Sequence, residues 1–213
     1  MKNRKDCGVV KKLTKATPPM VYPHDHQGSW LSESDRYYEC VHFLLRDLES
    51  LSSEIVSKWP IACSEAISNS DHHPDLAMLV KRRDVLSDSV RIFSAMTIEA
   101  FLNFYGVVRL GEVWYERNLG REFIVPKLIK VLHFCDNITI QETDELAVLV
   151  DRIAKGRNDL VHPKSKAISG KFPNTNHNGI DIPGFAQEMV VDMGKFFCIF
   201  VALVPNSKHL IPV

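Results

Sequence analysis

Apolar residues recur at helical spacing along nearly the whole chain, and no stretch alternates in the manner of a strand. Between about Ser34 and Lys58, Val41, Leu44, Leu48, Leu51 and Ile55 follow one another at steps of three or four, which predicts one face of an amphipathic helix. Pro60 ends or kinks it. A longer helix is predicted from about Asp75 to Tyr105, with Gly106 as its stop signal. Leu86, Val90, Phe93, Thr97, Ala100 and Phe104 form one stripe along it, and Ile92, Met96, Glu99 and Asn103 an adjacent one. From Val90 onward this helix is apolar around most of its circumference, which places it at the centre of the fold. An irregular section with Gly111 and Gly120 spans 106–120, and a modest helix runs from Val125 to Phe134. Thr139 and Glu142 have the spacing of a capping box that opens a fourth helix, with Leu146, Val150, Ile153, Arg157 and Leu160 on one face. Pro183 starts the last helix, whose expected apolar face is Phe185, Met189, Met193, Phe196, Phe200 and Leu203. The fold class that follows is all-α, an antiparallel bundle of about five helices.

The pattern divides the chain into a basic, poorly ordered N-terminal tail (1–30), a helical bundle (31–205) and a C-terminal tail (206–213), with a polar loop (162–182) before the last helix. His24 and His26 fall in the first tail, with no further ligands at a recognisable metal spacing. His72 and His73 fall in a loose stretch, 69–74, read as an exposed turn. There is no internal repeat and no low-complexity tract.

Composition narrows the classes. Of 213 residues, 45% are apolar, enough for one sizeable core. The formal net charge is zero, which argues against a protein that coats nucleic acid through bulk electrostatics but leaves room for a local basic patch. The five cysteines (Cys7, Cys40, Cys63, Cys135 and Cys198) are odd in number and contain no CxxC pair. A disulfide framework or zinc knuckle is therefore not expected, and isolated thiols suit a reducing cytosol. The most apolar stretch, Phe196 to Pro205, is half the length of a membrane span, and the basic first residues lack the apolar core of a secretory signal. The expectation is a cytoplasmic protein with no membrane contact, metal or cofactor. No GxSxG, GxxxxGK[ST], HExxH or GxGxxG motif is present. Cys135 and His133 are two residues apart on a helix, where their side chains diverge.

Chemistry concentrates at the end of the fourth helix. Arg157 stands in register with Leu146, Val150 and Ile153, so an always-charged guanidinium sits on the face that meets the core. Three explanations are open: snorkelling to the rim, a structural ion pair with Glu99, or an anion site in a cleft or dimer interface. Pro163 keeps His162 out of the helical region, so the helix ends near Val161 and His162 is free to swing back toward Arg157. A helix C-terminus favours the protonated imidazole and the nearby arginine opposes it, which suits a group titrating near neutrality as general acid or base. The arginine would hold a phosphate while the histidine moves a proton. From Arg152 to Lys171 six basic residues face one acidic residue, Asp159, and Lys155, Lys164, Lys166 and Lys171 are the expected nucleic-acid contacts. The plainer alternative is a solvated loop on an ordinary helix end.

The segment RNDLVH (157–162) resembles the R-x4-6-H motif of HEPN domains in its R-N-x-x-x-H form, with Arg157, Asn158 and His162 on the motif positions. SAMTIEAFLNFYG (94–106) is similar to the second HEPN helix, in which an acidic residue, here Glu99, stands amid apolar ones. The resemblance spans roughly residues 35–204. It implies a metal-independent endoribonuclease acting as a homodimer, with two motifs facing each other across one cleft. The RNA 2′-hydroxyl attacks the adjacent phosphate and leaves a 2′,3′-cyclic phosphate and a 5′-hydroxyl. In this assignment His162 is the general acid/base, Arg157 the phosphate clamp, Asn158 the orienting residue, and Glu99 with Asn103 a support. It also implies a toxin or antiviral-defence role, with an antitoxin or a nucleotidyltransferase as partner. Two other readings stand beside it: a HEPN-like dimerisation or partner-binding module without catalysis, and a helical interaction protein in which Arg157 merely pairs with Glu99.

Overall fold

Each apolar stripe needs a partner surface, and among the described residues five α-helices find theirs around or beside one long central helix. A computed structural model describes residues 32–58, 74–161 and 182–212. The helices are α1 (Glu33–Lys58), α2 (Pro74–Leu110), α3 (Glu112–Asn118), α4 (Ile124–Asp136), α5 (Glu145–Val161) and α6 (Ile182–Leu203), followed by a 3₁₀ turn at Pro205–Leu210. The class is all-α, and the described residues include no strand. The expected N-terminal tail, the Pro60 stop, the His72–His73 turn and the 162–182 loop up to residue 181 lie outside the described residues.

Helix α1 begins at Ser32, whose Oγ accepts the Ser34 N–H at 3.2 Å, and carries Glu33 and Asp35 in its first turn. Of its predicted face, Val41, Leu48, Leu51 and Ile55 are buried and Leu44 is half-buried. Helix α2 touches α1, α3, α4, α5 and α6, which is the central position its all-round apolarity implies. Val90 and Thr97 of the predicted stripe are fully buried, but Leu86, Phe93, Ala100 and Phe104 are only half-buried, and Ser94, Ile98, Phe101, Leu102 and Tyr105 lie deep in the core instead. On a helix that is apolar all round, the packing partners choose the face. Here α6 chooses it: Phe196, Phe197 and Phe200 meet Phe101 edge-on, at ring-centroid distances of 5.0 to 6.0 Å. On α6 itself Ala186, Met189, Met193, Phe196, Phe197 and Phe200 are buried, while Phe185 and Leu203, expected inside, are exposed.

Three boundaries differ from expectation, each for a local reason. Helix α2 runs through Gly106 to Leu110, because that glycine serves packing and not termination: a Cβ there would stand 2.3 Å from Cε2 of the Tyr115 ring. The stop falls at Gly111, whose φ of 82° suits glycine, and the section read as irregular folds back as α3. Helix α5 opens at Glu145 and not at the Thr139–Glu142 box. A turn precedes it in which Asp144 Oδ2 accepts the Gln141 N–H at 2.9 Å, and the Asp144 carbonyl takes the first helical bond from Val148. The segment set apart as a C-terminal tail is folded: Ser207 is buried with its hydroxyl donating to the Val204 carbonyl at 2.7 Å, and Leu210 and Ile211 pack on the core.

Candidate functional site

Helix α5 buries Leu146, Ala147, Leu149, Val150 and Ile153 and turns its other side to a cleft of about 1020 Å³. Val148, Asp151, Lys155 and Asn158 line it at steps of three and four, so the cleft follows the helix for about 15 Å at 1.5 Å per residue. Further lining comes from the run Glu122 to Pro126 that leads into α4 and from Ala95 and Glu99 of α2. Glu142, in the turn before α5, belongs to the same lining.

Arg157 is half-buried at this lining, one helical turn from the last described residue of α5. Its Nη1 donates to Asn158 Oδ1 at 3.2 Å. Glu99 shares the cleft, but no Arg157–Glu99 ion pair forms, and Arg157 has no ion-pair partner among the described residues. Of the three explanations for an arginine in this register, the structural ion pair is therefore absent. The structure thus brings Arg157, Asn158, Glu99 and Lys155 to one cleft. His162, Lys164, Lys166 and Lys171 lie outside the described residues. Lys155 is already held by Asp151 at 2.6 Å, an exposed i,i+4 pair.

The cleft is more acidic than the sequence around the motif implies. Glu99, Glu122, Glu142, Asp151 and Asp159 line it against Lys155 and Arg157. Asp151 is paired with Lys155, and Glu122 with Lys130. Glu99, Glu142 and Asp159 have no ion-pair partner among the described residues. The basic count over 152–171 follows the chain, whereas the cleft gathers side chains from α2, the α4 entry and the turn before α5.

Asn103, one turn beyond Glu99, is turned to a different task. Its Oδ1 accepts both the Tyr115 hydroxyl at 2.7 Å and the Lys127 ammonium at 2.8 Å. Lys127 is only 3% exposed; burial lowers its pKa, and the nearby Glu99, Glu116 and Glu122 pull it back up. Burial, then Glu116 and Glu99, raises the Tyr115 hydroxyl above its ordinary value. Asn103 thus ties α3 and α4 to α2 and does not line the α5 cleft. Sequence reasoning passed over Lys127; a lysine between Ile124 and Val131 at helical spacing is the signal that points to it. It also passed over Arg91, whose Nη2 donates to the Gly156 carbonyl at 3.3 Å and holds α2 against the residue before Arg157. Nothing in the local pattern of α2 marks that contact, which joins residues 65 positions apart.

Cys135 carries no nucleophilic signature: burial, then Asp136, pushes its thiol up to about 12 against the lowering effect of Arg109. Among the described residues no group of three or more His, Cys, Asp and Glu side chains is arranged to hold a metal ion. No helix among them is long and apolar enough to cross a membrane. No model of a known protein family matches the chain, and neither the curated proteins nor the solved structures contain a detectable match to it.

Proposed function

We propose that the chain is a HEPN-type endoribonuclease that works without a metal, with Arg157, Asn158 and His162 as its reacting set. The observation that carries the reading is the state of Arg157. It is half-buried at a cleft, fixed by Asn158, free of any carboxylate partner among the described residues, and five positions before His162. A guanidinium so held can take a phosphate in its fork. In the proposed reaction the RNA 2′-oxygen loses its proton to a histidine base and attacks the adjacent phosphorus. The bond from phosphorus to the 5′-oxygen breaks, and that oxygen takes a proton from an acid, leaving a 2′,3′-cyclic phosphate and a 5′-hydroxyl. A homodimer built on this face would supply one His162 as base and its copy as acid. A role as a toxin or in antiviral defence belongs to the same reading and is drawn from the motif alone.

One observation favours a second reading, a HEPN-like partner-binding module without catalysis. Three unpaired carboxylates in the cleft repel a polyanion and attract a cationic protein segment. The two readings part in one experiment. The purified protein is incubated with total RNA in EDTA beside His162→Ala and Arg157→Ala. Cleavage by the wild type alone, leaving cyclic phosphate ends, supports the ribonuclease. Intact RNA with a folded, dimeric wild type favours the module.

A further inference from the structure

The neutral total hides a division of charge along the chain. Residues 1–31 hold six Lys or Arg against two Asp, a net charge of +4, and residues 32–213 carry the balancing −4. Part of the acid excess lies in the α5 cleft, where Glu99, Glu142 and Asp159 stand without ion-pair partners among the described residues. The cleft lining also exposes apolar side chains: Phe123, at the entry to α4, is 85% exposed and Val148 of α5 50%. A large exposed aromatic ring beside carboxylates fits an occupant that is both basic and partly apolar. The segment 1–31 has that composition, with Lys11, Lys12 and Lys15 interleaved with Val9, Val10 and Leu13.

Its attachment point is close by. The described chain starts at Ser32, and Glu33, the first residue of α1, lines a small groove together with Glu99. Glu99 also lines the α5 cleft, so the described chain starts near that cleft. A dozen or more residues of linking chain span up to about 40 Å, more than the length of the cleft, so Val9 to Lys15 can reach all of it.

We propose that the basic segment 1–31 of this chain docks in its own α5 cleft, with lysines against Glu99, Glu142 and Asp159 and apolar side chains against Phe123. In that position it covers Arg157 and competes with any other ligand of the cleft. The docking does not depend on the ribonuclease reading; only its consequence, a lowered access of RNA to Arg157, rests on that.

The test uses the full-length chain with a benzophenone amino acid in place of Phe123, irradiated and mapped by mass spectrometry, after its thermal unfolding has been matched to the wild type. Equal parts of isotopically heavy and light protein separate contacts within one chain from contacts between copies. The expected result is cross-linking to residues 1–31 of the same chain, reduced several-fold in 0.5 M NaCl, by Glu142→Lys, and by Lys11→Glu with Lys12→Glu. Cross-links confined to residues 32–213, the segment 162–181 included, overturn the proposal. So do cross-links only between copies, the absence of any cross-link, and an intrachain cross-link indifferent to salt and to all three charge reversals. Total RNA added before irradiation should lower the yield if RNA uses the same cleft; an unchanged yield with the docking intact counts against the ribonuclease reading alone.

Discussion

Two polar constellations flank Glu99 in this molecule, and they differ in one respect. Around Asn103, every group named has a partner: the Tyr115 hydroxyl and the Lys127 ammonium both donate to one amide oxygen, and Lys127 is almost wholly buried. Around Arg157, a half-buried guanidinium has only the neighbouring Asn158 amide, and the carboxylates Glu99, Glu142 and Asp159 are in no ion pair among the described residues. The first arrangement is closed and consumes its polar capacity in holding three helices together. The second is open and keeps its capacity for a ligand. A polar residue on an apolar stripe therefore does not announce its role by itself; satisfaction does.

The largest effect that sharpens this contrast is on chemistry. His162→Ala or Arg157→Ala should lower RNA cleavage by about 10²-fold to 10⁴-fold while leaving the midpoint of urea unfolding in place. A loss of stability in Arg157→Ala would instead make the open constellation structural. In the closed constellation the order reverses. Asn103→Ala leaves a buried hydroxyl and a buried ammonium without their acceptor and should cost about 3 kcal/mol by urea unfolding, with any change in cleavage secondary to that loss. An Asn103→Ala variant of wild-type stability would contradict the closed description. Gly106→Ala tests the packing that brings Tyr115 to Asn103. A Cβ 2.3 Å from a ring carbon of a buried tyrosine must displace α3, at a cost of about 2 kcal/mol, read in the same unfolding measurement.

The smallest effect concerns pH. Burial puts the folded-state pKa of Lys127 below its ordinary 10.5. Between those two values the unfolded chain holds a proton that the folded chain lacks, so the Lys127 contribution makes stability rise with pH there and stay level below. The Tyr115 and Tyr105 hydroxyls, raised above 10.0, act in the opposite sense above that pH, and the Cys135 thiol, raised from 9.0, does so from about 9 upward. Lys127→Met keeps the volume and leaves Tyr115 on Asn103. It should unfold within about 1 kcal/mol of the wild type at neutral pH, and its stability relative to the wild type should fall as pH rises toward 10.5. A stability difference between the two proteins that stays constant through that window would contradict the buried amine.

Periodicity made much of this legible. The α1 face, the central place of α2 and the register of Arg157 with Leu146, Val150 and Ile153 all follow from spacings of three and four. The side of α2 that lies deepest followed only in part, at Val90 and Thr97, because a helix apolar all round has no preferred face until α6 brings Phe196, Phe197 and Phe200 against it. Gly106 misled for a related reason: a glycine that admits a tyrosine ring has the same local signature as one that ends a helix. The candidate site divides in the same way. Arg157 and Asn158 stood out because they break a pattern, whereas Arg91 and Lys127 act through partners that are distant in sequence or shared between helices.

By itself, then, the sequence determined that this chain is helical, where most of its helices run, and that an arginine breaks the apolar face of the fourth of the predicted five, five residues before a histidine. These are properties of neighbours within one or two turns, and the chain records them directly. Only the tertiary structure decided that Asn103 belongs to a closed knot and Arg157 to an open cleft, and that this cleft is acidic where the surrounding sequence is basic. Burial, hydrogen-bond satisfaction and net local charge are set by side chains that three-dimensional packing brings together from α2, α4 and α5, and no window along the chain contains them all.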